Sequence, residues 1–358
     1  MFRITYVVLG VVSLILVGCA FSAADDPDKL HHAGDGFRNL HHDYEAPGFG
    51  TFLRWKWNQL WNPVTGPEHY DFPLAPNTPA ALQTNTTRPT LTWIGHATVL
   101  LQLAGRNILT DPHFTPRASP VSWAGPKRAV PPGLALDELP HIDVVVISHD
   151  HYDSLDAQSV RRLATREGGE GTLFLVPLGL KRWFAKQGID NVVELDWWEH
   201  HVIHDLRITA VPVQHWSKRS LFGRNRTLWA GWTVSAPGFR FLFAGDSGYS
   251  PDFAEIGRRL GPFDLAAIPI GAYEPRWMMR PHHVNPEEAV QLHLDVRSRR
   301  SVAIHWGTFV LTDEPLDEPP KRLRDALHTR GVSEDEFLIL RHGETLHLPQ
   351  RPQTRSQP

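Results

Sequence analysis

The chain has 358 residues, of which 41% are hydrophobic and 21% are charged, as is ordinary for a folded globular protein. Its net charge of -3 provides no overall attraction for nucleic acid, so we expect no nucleic-acid partner. The length allows one large domain or two small ones.

The first residues have the features of a secretion signal. Arg3 supplies a positive charge, and the apolar stretch Ile4–Val17 is too short to span a membrane comfortably. The stretch leads into L-V-G-C, which resembles the bacterial lipobox, where the cysteine is lipidated and becomes the new N-terminus. We therefore expect residues 1–19 to be a lipoprotein signal peptide and the body to be anchored to the bacterial cell envelope at Cys19. Ala20 favours the periplasmic face of the outer membrane in a Gram-negative host; an uncleaved anchor helix is the alternative.

Residues 20–47 are polar and show no clear periodicity, so they predict a tether or a poorly ordered arm. The arm contains two histidine pairs, at positions 31–32 and 41–42. Such pairs could bind a metal weakly, but solvated linker residues explain them as well.

Residues 49–61 predict a tryptophan-rich amphipathic helix. One side carries the apolar residues Phe49, Phe52, Leu53, Trp57, Leu60 and Trp61, and the other side carries Arg54, Lys56 and Asn58. The apolar side could pack onto the body of the protein or lie in a membrane interface against lipid, and these alternatives are compatible. The proline-rich residues 62–89 predict an irregular connection.

From Pro89 the chain predicts alternating strands and helices. The predicted strands are Thr90–Ile94, Thr98–Leu103, Asn107–Thr110, Val144–Ile147, Thr172–Val176, Val192–Leu195, Arg207–Val213, Thr227–Ser235, Phe239–Ala244, Leu265–Pro269, Ser301–Ile304, Phe337–Leu340 and Thr345–Leu348. The predicted helices are Ala157–Arg166 with Asp156 as its cap, Leu180–Gln187, Phe253–Arg259, a helix from Asn285 to about Val296, and one near Lys321–Thr329. The proline-rich loop 112–141 is long enough to be a lid or a pocket wall. This order favours an α/β fold in which two mixed sheets form a sandwich with helices outside.

A dense group of polar residues follows the strand Val144–Ile147. His149, His151 and Asp153 stand at every second position directly after this β-branched run. Two imidazoles and a carboxylate within five residues are costly to bury unless something binds them, and a metal ion is the usual solution. A histidine-rich surface loop is the alternative.

Three more predicted strands lead to a potential metal ligand, namely His215, Asp246 and His305. Each of these residues alone is weak evidence for a metal site, because capping or core packing explains most such residues. Their repetition at strand ends favours one shared site. Cys19 is the only cysteine, so cysteine is excluded as a ligand or nucleophile in the body of the protein.

This set resembles the metallo-β-lactamase superfamily, whose signature is H-x-H-x-D-H followed by distant His, Asp and His. Further motifs resemble the phospholipases D of that superfamily that hydrolyse N-acyl phosphatidylethanolamine. These motifs are W-I-G-H-A-T at 93–98, H-D-H-Y-D at 149–153, F-A-G-D-S-G-Y at 243–249, I-P-I-G-A-Y-E-P-R-W at 268–277, H-V-N-P-E-E-A at 283–289 and A-I-H-W-G-T-F at 303–309. The resemblance covers roughly residues 45–347, and it implies one hydrolase domain over residues 48–350, followed by a tail at 351–358.

The resemblance implies a zinc site in two parts. His149, His151 and His215 would hold one zinc, and Asp246 would bridge to a second zinc that also takes Asp153 and His305. At position 154 the superfamily signature has histidine, whereas this chain has serine, a poor zinc ligand. We therefore expect one secure metal and a second that is weaker, more labile or absent, although water or a nearby side chain could replace the histidine harmlessly.

The implied activity is hydrolysis of N-acyl phosphatidylethanolamine or a related phospholipid by a metal-bound hydroxide. The candidate catalytic residues are Asp153, which would orient the hydroxide or handle its proton, His283, which would support a ligand or contact phosphate, and Tyr273, which the resemblance places at the site. The role of His96 is open between partner of the site and core histidine. A lactonase or esterase on the same fold and a non-catalytic metal-binding lipoprotein remain alternatives. The head group, acyl-chain preference and oligomeric state are not predicted.

Overall fold

The computed structural model describes residues 29–41, 49–61, 70–220 and 223–349. The predicted signal peptide 1–19 with its lipobox cysteine and the predicted tail 351–358 lie outside these ranges. In chain order the strands are β1 His32–Ala33, β2 Gly36–Phe37, β3 Thr90–Gly95, β4 Thr98–Leu103, β5 Arg106–Thr110, β6 Val144–Val146, β7 Leu173–Pro177, β8 Val192–Leu195, β9 His200–Ile203, β10 Leu206–Val211, β11 Gly231–Ala236, β12 Phe239–Phe243, β13 Leu265–Pro269, β14 Ser301–Ile304, β15 Phe337–Leu338 and β16 Thr345–His347. The helices are α1 Phe49–Trp61, α2 Pro79–Thr84, α3 Ala157–Thr165, α4 Lys181–Lys186, α5 Asp252–Leu260, α6 Arg276–Met279, α7 Pro286–Asp295 and α8 Glu318–Arg330.

Two seven-stranded mixed sheets form the body. The first has the order β16-β3-β4-β5-β6-β7-β8, and the second has the order β15-β14-β13-β12-β11-β10-β9. In each sheet the pairs on one side are antiparallel and the pairs on the other side are parallel. The prediction of a sandwich of two mixed sheets with outer helices is confirmed.

The first sheet is buried on both faces, which explains its uninterrupted apolar strands. In β6, Val144 and Val146 belong to the core between the two sheets, whereas Val145 packs on the opposite side with α3 and α4. All three valines are essentially inaccessible to solvent. A continuous β-branched run is therefore required here, and the polar residues that follow it emerge together at one edge of the sheet.

Two predicted helix starts are confirmed by their caps. The Asp156 carboxylate accepts hydrogen bonds from the Gln158 and Ser159 amides at the start of α3. Asn285 and Glu288 form a capping box at the start of α7. Each cap satisfies amides that have no partner within the helix and so fixes where the helix begins.

Residues 29–41 differ from the predicted tether. They contain the antiparallel pair β1 and β2, and the Phe37 amide donates to the Asn225 carbonyl at 2.8 Å. The paired histidines at 31 and 32 both contact the Asp196 carboxylate. These polar residues, which predicted a solvated arm, therefore make a specific contact with the body.

Helix α1 is present, but it packs differently from the prediction. Trp55 is buried and its Nε1 donates to Asp313 Oδ2 at 2.8 Å, whereas Leu53, Trp57 and Trp61 of the predicted apolar side are 50%, 61% and 69% exposed. The predicted packing of the apolar side onto the body is therefore wrong for Leu53, Trp57 and Trp61. In the described ranges, no helix combines the length and apolar character that a membrane span requires.

The loop 112–141 is irregular apart from a 3-10 turn at Leu136–Glu138 and isolated bridges. Its residues 115–117 and 119–122 line part of a cavity of about 430 Å³, together with Tyr152 of the metal loop and Arg219. The loop thus forms the wall of a cavity beside the segment that carries His149 and His151.

Candidate metal centre

Three imidazoles converge at the edge where β6 and β10 end. His149 and His151 follow β6, and His215 follows β10. Their ring nitrogens lie close together, with His151 Nδ1 at 2.8 Å from His149 Nε2 and 3.2 Å from His215 Nε2. The structure therefore brings together three predicted ligands from two different sheets.

Neighbouring groups fix the tautomers of two of these histidines. Ser148 Oγ donates to Asp111 Oδ2, so it accepts from the His149 Nδ1–H at 2.8 Å. The His282 carbonyl can only accept, so His215 Nδ1–H donates to it at 3.0 Å. In the neutral form, both rings then present a lone pair at Nε2.

These imidazoles fit a metal ion. Burial lowers the pKa of His149 to about 3 and holds that of His215 well below its usual range, so both are neutral at pH 7. His151 Nδ1 faces the Nε2 lone pairs of both His149 and His215. An N–H at His151 Nδ1 could donate to only one of these two lone pairs. A tetrahedral zinc with nitrogens at about 2.0–2.1 Å separates those nitrogens by about 3.3 Å, close to the separations observed.

Asp153, Asp246 and His305 form an adjacent cluster. His305 Nε2 lies 3.1 Å from Asp246 Oδ2 and 3.5 Å from Asp153 Oδ2. Asp246 Oδ2 is also 3.7 Å from His149 Nε2, so this carboxylate lies between the two groups of ligands. Asp246 Oδ1 and His305 Nδ1 are buried and make no hydrogen bond to any described residue.

The electrostatics of this cluster call for a cation. Burial would raise the pKa values of Asp153 and Asp246, but the neighbouring imidazoles together outweigh burial and hold both well below their usual range. His305 contributes most of this lowering, with His96 at Asp153 and His149 at Asp246. Burial opposes protonation of His305, yet Asp246 and Asp153 raise its pKa to about 10. Two buried carboxylates thus require positive charge beside them, and a divalent ion meets the same requirement as a protonated His305.

Position 154 supplies no candidate metal ligand to the group formed by Asp153, Asp246 and His305. Ser154 is fully buried, and its Oγ makes no hydrogen bond within the described ranges. Two other histidines lie close by. His96 Nε2 is 3.1 Å from Asp153 Oδ2, and the His283 ring centre is 5.2 Å from that of His215 and 5.5 Å from that of His305. The structure therefore places His96 against Asp153, and His283 beside both groups.

Strained backbone shapes the site. His96, Asp111 and His305 have φ values of 53°, 31° and 60°, a left-handed region that costs about 1–3 kcal/mol for such residues. The amide of His305 donates to the carbonyl of His96 at 2.9 Å, which ties two of the three together. At Gly245, with φ of 62°, a Cβ would lie 2.8 Å from Ser148 Cβ, so glycine is required beside the serine that holds His149.

Tyr273 is not brought to this centre by any contact observed among the described residues. It is fully buried, and its hydroxyl donates to Glu318 Oε1 at 2.7 Å. Burial and Glu318 raise its pKa. The catalytic role of Tyr273 stays a prediction, and a direct role would require the hydroxyl to leave Glu318.

Sequence reasoning missed the residues that hold the ligands in place. Asp111 and Ser148 orient His149, and Asn39 bonds the main chain of His215. Asp111 carried a usable signal, because it is a polar residue at the end of a predicted strand. Ser148 and Asn39 carried none, since a lone serine or asparagine is common in loops.

A third group of possible ligands lies elsewhere, formed by His31, His32 and Asp196. Here Lys29 Nζ lies 2.7 Å from Asp196 Oδ2, and the two imidazoles contact the same carboxylate. An ammonium therefore already supplies the positive charge, and this group ties down the N-terminal segment.

The two-sheet sandwich, with candidate histidine and aspartate ligands after its strands, defines a metallohydrolase of the metallo-β-lactamase class. The model of a beta-lactamase superfamily domain matches residues 106–306, more than half of the chain, and the chain belongs to this superfamily. It is 46% identical over 265 residues to N-acyl-phosphatidylethanolamine-hydrolyzing phospholipase D 1 of Caenorhabditis elegans, covering 71% of this chain and 74% of that protein.

A yeast relative and a solved structure extend the comparison. The mitochondrial N-acyl-phosphatidylethanolamine-hydrolyzing phospholipase D of Saccharomyces cerevisiae is 37% identical over 65% of this chain and 50% of its own length. The metallo hydrolase Igni18 of Ignicoccus hospitalis superposes with a TM-score of 0.56 at 19% identity, over 74% of this chain and all of that one, and shows the fold alone. The chain is thus a metal-dependent hydrolase close to the N-acyl phosphatidylethanolamine-hydrolysing phospholipases D.

Proposed function

We propose that the chain is a zinc-dependent phosphodiesterase of the phospholipase D type, acting on N-acyl phosphatidylethanolamine or related phospholipids. The observation that carries this proposal is the 46% identity to the nematode enzyme of that name across 265 residues. The donor set agrees with zinc, because imidazole nitrogens and carboxylate oxygens are its ordinary ligands besides cysteine.

Zinc bound here would lower the pKa of a coordinated water toward neutrality and offset negative charge on the phosphoryl oxygens. His149, His151, His215 and Asp246 would hold the secure ion. Asp246, Asp153 and His305 would hold the second, and Ser154 would leave that ion with one protein ligand fewer than the superfamily signature supplies.

The protonation states of Asp153 and His283 indicate what each side chain could do in the reaction. Asp153 is ionised at neutral pH, so its carboxylate can orient the attacking water by accepting a hydrogen bond and cannot itself act as an acid. Burial lowers the pKa of His283 to about 4, so this ring is neutral at pH 7 and one nitrogen can donate to a phosphoryl oxygen.

The test is incubation of the zinc-loaded, detergent-treated protein with N-acyl phosphatidylethanolamine. We expect release of phosphatidate and N-acylethanolamine. Asp153→Asn should lower the rate by about 100-fold or more, because it removes the carboxylate that would orient the attacking water and hold the second ion. Turnover of carboxyl esters or lactones with no phosphodiester cleavage would replace this proposal with the esterase alternative.

We also propose a lipid anchor at Cys19, which would keep the enzyme beside a phospholipid substrate in the cell envelope. The lipobox-like residues 16–19 support this placement. In a bacterial host, Cys19→Ser should move the protein from the membrane fraction to the soluble envelope fraction. Unchanged fractionation together with an unlipidated N-terminal peptide by mass spectrometry would contradict the anchor.

A further inference from the structure

The main chain of His215 is held by an asparagine from the far N-terminal segment. Asn39 Nδ2 donates to the His215 carbonyl at 2.9 Å, and the His215 amide donates back to Asn39 Oδ1 at 3.1 Å. The same Oδ1 accepts from Trp229 Nε1 at 3.2 Å. One side chain therefore satisfies both polar backbone groups of a metal ligand.

His215 needs these partners because of its position. It follows β10 in an irregular segment, so no strand within the described ranges pairs with its main chain, and its side chain has no accessible surface. Buried backbone groups without partners cost free energy comparable to a lost hydrogen bond. The side chain is fixed separately by the His282 carbonyl, so Asn39 controls where the residue sits rather than which tautomer it adopts.

The segment that carries Asn39 is anchored at a second point. Asp196 contacts Lys29, His31 and His32 at 2.7, 2.6 and 2.9 Å. The His31 ring also stacks on Trp197, with ring centres 4.4 Å apart. Trp197 Nε1 in turn donates to the Trp229 carbonyl at 2.6 Å, which links this anchor to the tryptophan that contacts Asn39.

Close backbone packing completes the docking of this segment. A Cβ on Gly36 would lie 2.3 Å from the Asn225 carbonyl oxygen, so β2 approaches the body as closely as glycine allows. Asn225 also bonds the main chain of Ser217, two residues beyond His215. Residues 29–41 thus contact the segment that carries His215 in two ways. Asn39 contacts His215 directly, and β2 packs on Asn225, which bonds Ser217.

We propose that Asn39 is a positioning residue of the metal centre and that residues 29–41 complete the site by fixing His215. This inference rests on the metal centre of the proposed function, but it is independent of the substrate. Loss of Asn39 should let the His215 main chain shift and weaken the three-histidine site, leaving the other two ligands in place.

The experiment measures zinc affinity by competition with a chromophoric chelator, using the full chain and its variants below their unfolding temperatures. We expect Asn39→Ala to bind zinc about 10–100-fold more weakly, the usual cost of removing a group that orients a ligand. Leu40→Ala is the matched control, because this neighbouring side chain is 38% exposed. Its zinc affinity should equal that of the unaltered protein.

A second variant covers the case in which Asn39→Ala does not fold. Asn39→Asp keeps the acceptor for the His215 amide and Trp229 but places an oxygen against the His215 carbonyl. We expect an intermediate loss of zinc affinity and altered visible absorption bands in the cobalt-substituted protein. Folded variants with zinc affinity within twofold of the unaltered protein would overturn this inference alone. An unaltered protein that binds no zinc would overturn the metal centre together with it.

Discussion

At the scale of single residues, Ser154 sets the most specific expectation. Its side chain is buried directly after Asp153, and its Oγ has no hydrogen-bond partner among the described residues. A serine hydroxyl is a poor zinc ligand, so the neighbouring Asp153, Asp246 and His305 would provide a weaker site than the three histidines with Asp246. The two halves of the centre should therefore differ in how tightly they hold metal.

Ser154→His should raise the zinc content from about one ion per chain toward two, because it restores an imidazole next to Asp153. Elemental analysis after dialysis measures the content, and Ser154→Ala should leave it unchanged. If the histidine variant folds and alters neither metal content nor rate, position 154 has no bearing on the second metal.

Ser148→Ala should weaken zinc binding by about 10–100-fold, because His149 Nδ1–H loses the acceptor that fixes its tautomer. Chelator competition gives the affinity. Ser250→Ala is a matched control, since Ser250 is also buried and donates to a carboxylate, that of Asp252. Equal zinc affinities in both variants would show that the tautomer of His149 is fixed by other means.

At the scale of elements, helix α1 presents an apolar surface that the described part of the body leaves exposed. Trp57 and Trp61 are exposed and their ring centres lie 5.9 Å apart, while Trp55 faces Asp313. Exposed tryptophans on a short helix are typical of contact with the interface of a bilayer. This surface would bring the metal centre to a lipid substrate.

Replacing Trp57 and Trp61 with alanine should weaken binding to phospholipid vesicles by about tenfold or more, since burying one such side chain stabilises by about 1.5–3 kcal/mol. Turnover of substrate dissolved in detergent should be unchanged. Val202→Ala on β9 is the control, because Val202 is 53% exposed on another element. Vesicle sedimentation that is equal for all three proteins would contradict the lipid contact.

The anchoring of residues 29–41 should depend on pH through Asp196. Burial would raise the pKa of this carboxyl, but His31 and Lys29 outweigh burial and hold it below its usual range. A depressed pKa in the folded state means that the stabilisation is present above the unfolded pKa of about 4 and is lost as the pH falls further.

Hydrogen-exchange protection of residues 29–41, corrected for intrinsic rates, should therefore decrease as the pH falls below about 4. Asp196→Asn should show weaker protection throughout and little of that decrease. Parallel pH curves for the two proteins would assign the transition to other groups.

At the scale of the whole molecule, the elements that carry metal ligands were predictable because each is a short apolar run that ends in a polar residue. β14 has the predicted bounds, and the bounds of β6, β10 and β12 differ from the predicted ones by at most two residues. The assignment of six ligands to two metals came from the resemblance, since no spacing shows that residues 149 and 305 approach each other.

Other features could not be predicted from local pattern. β11 begins at Gly231 rather than Thr227, because Ala230 instead donates its amide to the Ser148 carbonyl beside the site. Asn39 lies 176 residues before His215, and the left-handed conformation of His96 and His305 depends on packing that only the folded chain supplies. Tertiary contact overrides local preference at each of these positions.

The central claim is that this centre holds zinc and cleaves a phosphodiester, and one zinc titration tests it directly. Metal-free protein receives zinc in steps, and bound zinc and phosphatidate released from N-acyl phosphatidylethanolamine are measured in the same samples. We predict that one ion per chain is retained tightly and that release rises with zinc content and stops when a chelator removes the metal. Zinc-loaded protein that releases no phosphatidate, or release that persists without zinc, would contradict the claim.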